Sequence, residues 1–479
     1  MPFRVTGAQG RFGRDHRHGF LSVVERAASE VSEDQGERPA GGPSSPDRGA
    51  SPDRGASSDQ GAGQWLAISF ARLFRSPRLL LLLLLIPLGV LLAGIVGAVF
   101  ELRLGVDSAV YRSGGLTLLR GEPLYEFNTL GSEPWWALLP FTYPPTAALL
   151  FIPLALVPTQ LAWGLLAALS ILLLVLVIRV SIEYLPTRRW AKPATATVVF
   201  SICVLALEPV WRTLFLGQIN VVLMAAVLLD VLVVGAAGPR LRRFGGILIG
   251  IAAAVKLTPL IFVAHLFFIG RKLDALRALV TFFALQGLMF LLIPVDFREF
   301  WMHAVQDPGR TGPIHWAGNQ NLAGLVARIS ELTPHTTYIA IGIGAILAIP
   351  AVWLMLRLQR SGRPLQALLV TAFFGLLVSP VSWSHHWVWV VPLIVLLAAR
   401  IPAGATLGQW RSWSPLAAVV LVFGSGVLLW MSNGMDAELR WSPFEFVIGS
   451  CYLLTPIVFG AVLLGSELRR ARRAPNRGK

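Results

Sequence analysis

No part of this sequence constrains the fold more than Leu79 to Phe100, a run without one charged side chain. An α-helix needs roughly 20 apolar residues to cross the hydrocarbon core of a bilayer, and this run supplies them. Comparable apolar stretches recur down to the C-terminal region. Only 14% of the residues are charged, against about 25% in soluble domains. The predicted fold class is therefore all-α, a polytopic membrane protein with about 10–13 membrane helices on span-length grounds.

The formal net charge of +15 would suggest nucleic-acid binding in a soluble protein. Here Arg and Lys gather in short connections between apolar segments, as the positive-inside bias requires. No basic face is interleaved with aromatic residues, so no nucleic-acid partner is expected. Cys203 and Cys451 both fall in apolar stretches and read as buried small side chains. Neither a disulfide framework nor a zinc spacing is present.

Three regions follow from composition. Residues 1–63 are rich in Gly, Ser, Pro, Asp and Arg, and Ser45–Ala50 repeats at once as Ser51–Ala56. Such a segment buries too little apolar surface to offset its ordering entropy, and it reads as a disordered cytoplasmic tail. Residues 64–468 form the membrane domain, and 469–479 a basic cytoplasmic tail.

Charge threads the membrane domain. Placing Arg240, Arg242 and Arg243, then Arg271, Lys272 and Arg277, then Arg357, Arg360 and Arg363, and then Arg400 and Arg411 in the cytoplasm gives one consistent topology from about Trp190 onward. Spans near 193–213 and 219–238 form a hairpin with Gly217–Asn220 at its outer tip. The run 244–270 breaks at Lys256-Leu-Thr-Pro259, with Lys256 outward. Residues 295–320, 380–385 and 432–442 are outer loops. Residues 144–182 hold two apolar segments separated by Pro158-Thr-Gln160. Two crossings there would leave Arg188, Arg189 and Lys192 outside, against the bias. One crossing plus a re-entrant or interfacial piece would not.

The polar motifs cluster at the ends of these segments. Asp107 follows the first span and leads into Tyr111-Arg112-Ser-Gly-Gly115. A carboxylate near the membrane surface can act as a general base or be a solvated loop charge. Tyr143 lies in Phe141-Thr-Tyr-Pro-Pro145, where it could stack on a sugar or join an aromatic belt. Glu208 precedes Pro209 in an apolar segment, with Arg212 four residues on, the spacing of a helical ion pair. Lys256 has apolar flanks and suits a phosphate, or it snorkels to the interface. Asn319-Gln320-Asn321 could recognise hydroxyls or cap a helix. Ser382-Trp-Ser-His385-His386-Trp387 is compact, polar and aromatic. Adjacent histidines cannot face one site from a regular helix, and a metal would need a third ligand such as Asp107. No metal or cofactor is expected. No P-loop, nucleophile elbow or Rossmann fingerprint is present, so an activated donor would enter through the lipid phase.

Taken together, Phe141–Pro145, Leu216–Met224, Lys256–Pro259, Asn319–Ala323 and Val378–Trp387 resemble glycosyltransferase family 87. The resemblance spans roughly residues 78–400. It implies a GT-C-type membrane enzyme that transfers mannose from polyprenyl-phosphate-mannose in α-(1→2) linkage, with inversion, at an extracytoplasmic face of the cell membrane. The implied acceptor is the mannan of lipomannan or lipoarabinomannan, with phosphatidylinositol mannosides or another cell-wall glycolipid as the alternative. The resemblance further implies Asp107 as the catalytic base. Lys256, Arg112, His385 and His386 are the expected holders of the donor phosphate. Tyr143, Glu208, Gln218, Asn220, Asn319 and Gln320 are the expected binders of sugar or acceptor. The rival reading is a transporter or flippase of a lipid-linked sugar. Transporters often show two related halves, and no convincing internal repeat is found here.

Overall fold

The computed structural model describes residues 77–126, 129–185, 190, 192–406 and 408–473. The expected tail at 1–63 lies outside these residues, as does most of the C-terminal tail. Among the described residues the elements are helical, apart from one antiparallel bridge between Asn319 and Trp383.

Helix α1 (Pro77–Val99) realises the opening apolar run. Leu81, Leu85, Leu88 and Leu92 are exposed along it, as suits a helix facing lipid. A short turn leads into α2 (Val106–Arg120), and two helical pieces, Pro145–Leu150 and Ile152–Ala155, precede α3 (Thr159–Glu183). Residues 144–182 thus contain one full-length helix after two short pieces, which answers the ambiguity in the sequence. Helices α1 and α3 run antiparallel: Leu83 packs with Val175, while Gly94 meets Gly164 at the other end. A Cβ on Gly94 would fall 2.8 Å from the Gln160 carbonyl oxygen and 3.0 Å from Gly164 Cα. Small residues at such a crossing let the two backbones approach.

Helix α4 (Pro193–Cys203), extended by a 3₁₀ turn to Ala206, meets α5 (Glu208–Leu216) at 76°. Pro209 at the start of α5 has no N–H to continue α4 and fixes the break. Cys203 is exposed on α4, contrary to the buried position expected. It lies on the outward face of an apolar helix, where a small apolar side chain needs no protein partner. Helix α6 (Asn220–Leu228) continues as a π-helical stretch, Leu229–Val234.

The 244–270 run breaks where Lys256 stands. Helix α7 (Ile247–Val255) ends there in extended backbone, and α8 (Ile261–Phe268) follows a 3₁₀ turn at Thr258–Leu260. Then come α9 (Lys272–Leu292), α10 (Leu322–Ile329), α11 (Thr336–Arg360), α12 (Pro364–Val378), α13 (Val390–Ala398) and α14 (Cys451–Arg473). Helix α14 carries the beginning of the basic C-terminal stretch.

Five described helices are long and apolar enough to cross a membrane, or six if the bent α4–α5 pair counts as one span. That is fewer than the 10–13 expected from apolar stretches. Proline, Lys256 and the 380–386 segment divide several stretches into helices too short to span alone. The protein is nonetheless an all-α, multi-pass membrane protein.

Candidate active site

Two glycine turns build the site. Gly105 precedes α2 at φ 71° and Gly217 follows α5 at φ 70°, left-handed conformations that glycine adopts without a Cβ penalty. Space excludes a side chain as well. A Cβ on Gly105 would lie 2.3 Å from Ser108 Oγ, and one on Gly217 2.4 Å from the same atom. The two turns pack on Ser108 and Trp163, whose indole N–H donates to the Leu214 carbonyl at 2.8 Å. This brings Asp107, in the first turn of α2, to Gln218, just past the end of α5. The Gln218 side chain there favours the ionised form of Asp107.

Helix α2 lies on an aromatic bed. A Cβ on Gly114 would strike Phe141 at 2.4 Å, and one on Gly115 would meet the Phe151 backbone at 2.9 Å. Tyr111 therefore stacks on Phe151, with centroids 4.5 Å apart, and meets Tyr143 edge-on at 5.1 Å. Such pairs contribute about 0.5–1.5 kcal/mol each beyond the area they bury. The Tyr111 hydroxyl donates to Gln218 Oε1 at 2.7 Å and lies 2.7 Å from the Tyr143 hydroxyl. Tyr143 thus joins the cluster through its hydroxyl, while its ring lies 5.6 Å from Lys256 Nζ.

Lys256 donates to Asn220 Oδ1 at 3.3 Å and contacts His386 Nε2 at 3.1 Å. An ammonium has no lone pair, so His386 Nε2 must be the acceptor and its ring proton must sit on Nδ1. Asn220 Nδ2 and Thr213 Oγ1 donate to the His385 carbonyl at 3.0 and 2.9 Å. The 384–389 segment is a 3₁₀ turn, so the two His rings can meet edge-on at 4.7 Å. Both His385 ring nitrogens are buried without a hydrogen-bond partner.

Burial drives the Asp107 carboxyl upward, while Gln218, Lys256 and Arg212 pull it back, leaving it at about 6. It is ionised at neutral pH yet more basic than an exposed aspartate. Lys256, Asn220 and His386 also line the head of a groove whose empty space, its open mouth included, is about 550 Å³. The remainder of its wall is largely apolar, with Leu223, Met224, Ile261, Phe262 and Trp389 among its residues.

The structure gathers Asp107, Tyr143, Gln218, Asn220, Lys256, His385 and His386 in one connected region. It directs four other expected residues elsewhere. Arg112 donates through Nε to the Val157 carbonyl at 2.7 Å, five residues and therefore part of a turn away from the Asp107 face. Glu208 is buried, accepting from Ser384 and Tyr452 at 2.8 Å each and pairing with Arg212 at 3.3 Å. It holds the framework behind the cluster. Asn319 bonds Ile314 O and Ser382 N, and Gln320 bonds Ala317 O, Gly449 O and Leu453 N. Both are fully buried with their amides engaged by backbone, so they fasten the segment before α10, and Asn321 caps α10. Among the described residues, no three His, Cys, Asp or Glu side chains gather at metal-ligating distance.

Two members of the site escaped the sequence reading. Arg212 pairs with Glu208 but stays about one-third exposed and acts electrostatically on Asp107. Tyr111 stands four residues after Asp107, on the same helix face, and that spacing was the available signal.

Comparison with known proteins identifies the family. The profile of glycosyltransferase family 87 matches residues 141–380, from the aromatic bed through the end of α12. The polyprenol-phosphate-mannose-dependent alpha-(1-2)-phosphatidylinositol mannoside mannosyltransferase of Mycobacterium tuberculosis (strain ATCC 25618 / H37Rv) is 33% identical over 355 residues, covering 71% of this chain and 77% of that protein. This chain belongs to glycosyltransferase family 87. Its Mycolicibacterium smegmatis (strain ATCC 700084 / mc(2)155) relative of the same description is 35% identical over 312 residues, 61% of this chain and 69% of that protein. The polyprenol-phosphate-mannose-dependent alpha-(1-2)-phosphatidylinositol pentamannoside mannosyltransferase of Mycobacterium tuberculosis (strain CDC 1551 / Oshkosh) is 35% identical over 352 residues, 72% of this chain and 79% of that protein. No solved structure matches the chain significantly. As a family 87 member the protein is a membrane glycosyltransferase, and the transporter reading gives way.

Proposed function

We propose that this enzyme transfers mannose from polyprenyl-phosphate-mannose to a phosphatidylinositol mannoside, forming an α-(1→2) linkage with inversion. The donor and linkage draw support from the printed activities of the relatives. Those names also move the acceptor from the lipomannan and lipoarabinomannan mannan toward the smaller glycolipid. The observation that carries the chemistry is a basic carboxylate, Asp107, held by Gln218 beside Lys256, which itself heads an apolar groove.

In this reading the polyprenyl chain lies along the apolar wall and its phosphate meets Lys256, His386 and Arg212. Asp107 takes the proton of the acceptor 2-hydroxyl as that oxygen bonds to the mannose anomeric carbon. The bond from this carbon to the phosphate oxygen breaks in the same displacement, and polyprenyl phosphate leaves as an anion without a general acid. Cations fixed in a low-dielectric site stabilise the charge that gathers on the leaving oxygen. Arg212 replaces Arg112 in this role. His385, with both ring nitrogens unpartnered, is placed to orient the phosphate or a sugar hydroxyl. Gln218, Asn220 and Tyr143 hold the acceptor side. Positive charge in the opposite connections supports an extracytoplasmic site in the cell membrane.

The test is transfer of radiolabelled mannose from the lipid donor in membranes, with phosphatidylinositol mannosides and lipomannan offered as separate acceptors. Label is expected in the phosphatidylinositol mannoside. Label only in lipomannan would return the acceptor to the larger glycan, and transfer from a nucleotide sugar without the lipid donor would overturn the donor assignment.

A further inference from the structure

A second polar basin lies at the other end of α12. Helix α12 runs from Pro364 to Val378, so its ends are separated by roughly 21 Å at 1.5 Å per residue. Its C-terminal end feeds the segment carrying Ser382 and His386. Its N-terminal end lines a basin with about 860 Å³ of empty space, open mouth included, formed by Arg363, Gln366, Arg400, Leu463, Ser466 and Arg470. Three of those six side chains are guanidinium groups.

One carboxylate serves this cluster. Glu467 is buried and pairs with Arg363 at 2.9 Å, Arg470 at 2.9 Å and Arg357 at 3.7 Å. Three arginines therefore share one acid, and Arg400 lines the same basin. Among the described residues Arg400 has no carboxylate within ion-pairing distance, and Gln366 is 95% buried with its Oε1 unpartnered. Guanidinium groups bind phosphate oxygens through paired N–H bonds, while an amide oxygen left free inside the wall accepts from a hydroxyl. Arg357, Arg360, Arg363, Arg400 and Arg470 also mark this end as cytoplasmic by the charge bias. Basic pockets between membrane helices on that side suit anionic lipid head groups.

We propose that this basin binds the phosphate of an anionic phospholipid from the cytoplasmic leaflet, with Arg400 and Arg470 on the phosphate and Gln366 on a head-group hydroxyl. The site is separate from the transfer centre, and the proposal stands whether or not the acceptor assignment does. Leu463 supplies an apolar edge for the start of the acyl chains.

Purified full-length protein in detergent is titrated with phosphatidylglycerol, phosphatidylcholine or inorganic phosphate while thermal unfolding and retained lipid by native mass spectrometry are followed. Phosphatidylglycerol is expected to raise the unfolding temperature and remain bound, and phosphatidylcholine is not. Arg400→Gln should weaken phosphatidylglycerol binding about tenfold, as loss of one charge-assisted contact does. Arg400 has no ion partner to strand, so this variant should unfold at the wild-type temperature without lipid. Gln366→Leu is the second variant, expected to reduce the preference for phosphatidylglycerol over phosphatidic acid, which lacks the hydroxyl-bearing head. Equal stabilisation of wild type and Arg400→Gln would overturn the site. Stabilisation by inorganic phosphate alone would make it a soluble-anion site and overturn the lipid assignment.

Discussion

Asp107 and Asp230 are both carboxylates drawn away from water, and segment 218–234 links their surroundings. Gln218 at one end of that segment holds Asp107, and Asp230 lies near the other. Asp230 has a complete set of partners. Its oxygens accept from Gly246 N at 2.7 Å and Ile249 N at 3.2 Å, at the start of α7, and Arg271 lies 3.7 Å away. Arg271 also pairs with Asp274 and bonds the Val231 carbonyl. Asp107 has Gln218, two nearby cations and, among the described residues, no paired guanidinium. A buried charge with every lone pair engaged fixes a fold, whereas one left under-satisfied keeps its reactivity. The difference separates a staple from the proposed base.

Exchanging each acid for its amide should split the two roles most widely. Asp107→Asn keeps the shape but cannot accept the acceptor proton, and transfer should fall by about 10²–10⁴-fold with little change in unfolding. Asp230→Asn should destabilise by about 3 kcal/mol, the order expected when one partner of a buried pair is removed. The molecules that still fold should turn over at the wild-type rate. Mannose transfer per folded molecule, alongside unfolding in detergent, measures both. A stable, inactive Asp230→Asn would erase the distinction.

Lys256 gives the next largest effect. Its ammonium interrupts the α7–α8 run and, among the described residues, has Asn220 Oδ1 and His386 Nε2 as its hydrogen-bond partners. Lys256→Met should lower kcat/KM for the lipid donor by about 10²-fold, the scale of one lost transition-state charge contact. It should leave stability unchanged or raised, because functional polar sites are often destabilising. Loss of folding without a defect in donor use would make Lys256 a structural residue.

A pH profile sharpens the comparison further. With Asp107 as the proposed base, transfer requires its ionised form, and burial places that group at about 6. Activity should hold a plateau between this value and about 8, where burial has lowered the Lys256 ammonium, and fall about tenfold per pH unit below about 6 as the carboxylate takes a proton. The acid limb should remain in Asp230→Asn and vanish from the residual activity of Asp107→Asn. An acid limb shared by both variants would point to another group.

How much of this was legible follows from the same contrast. Lys256 and Asp107 stand out in sequence because charges beside long apolar runs are rare and need a reason. The break at Lys256 could be read from its Pro259, and the single crossing at 159–183 was one of two paths that charge bias left open. Arg212 was harder, since the i, i+4 spacing to Glu208 accounts for it completely until the fold shows its guanidinium partly free on the Asp107 side. Asn319 and Gln320 misled in the opposite direction. An amide before a helix can bind a ligand or backbone, and only the carbonyls of Ile314, Ala317 and Gly449 decide which. The Gly449 contact, like that of Asn319 with Ser382, joins residues distant in sequence, where neither spacing nor periodicity reaches.

The smallest expected effect tests the boundary of the site. Arg112 shares α2 with Asp107, yet its Nε bonds the Val157 carbonyl at the turn before α3. Arg112→Gln should therefore cost about 1 kcal/mol of stability, a typical net value for a partly exposed hydrogen bond. The KM for the lipid donor should stay within about twofold of wild type, since a lost phosphate contact would be worth roughly tenfold. A tenfold rise in KM without loss of stability would mean that α2 turns when donor binds, bringing Arg112 to the phosphate. The division between a fastening face and a reactive face of that helix would then hold only for the empty enzyme.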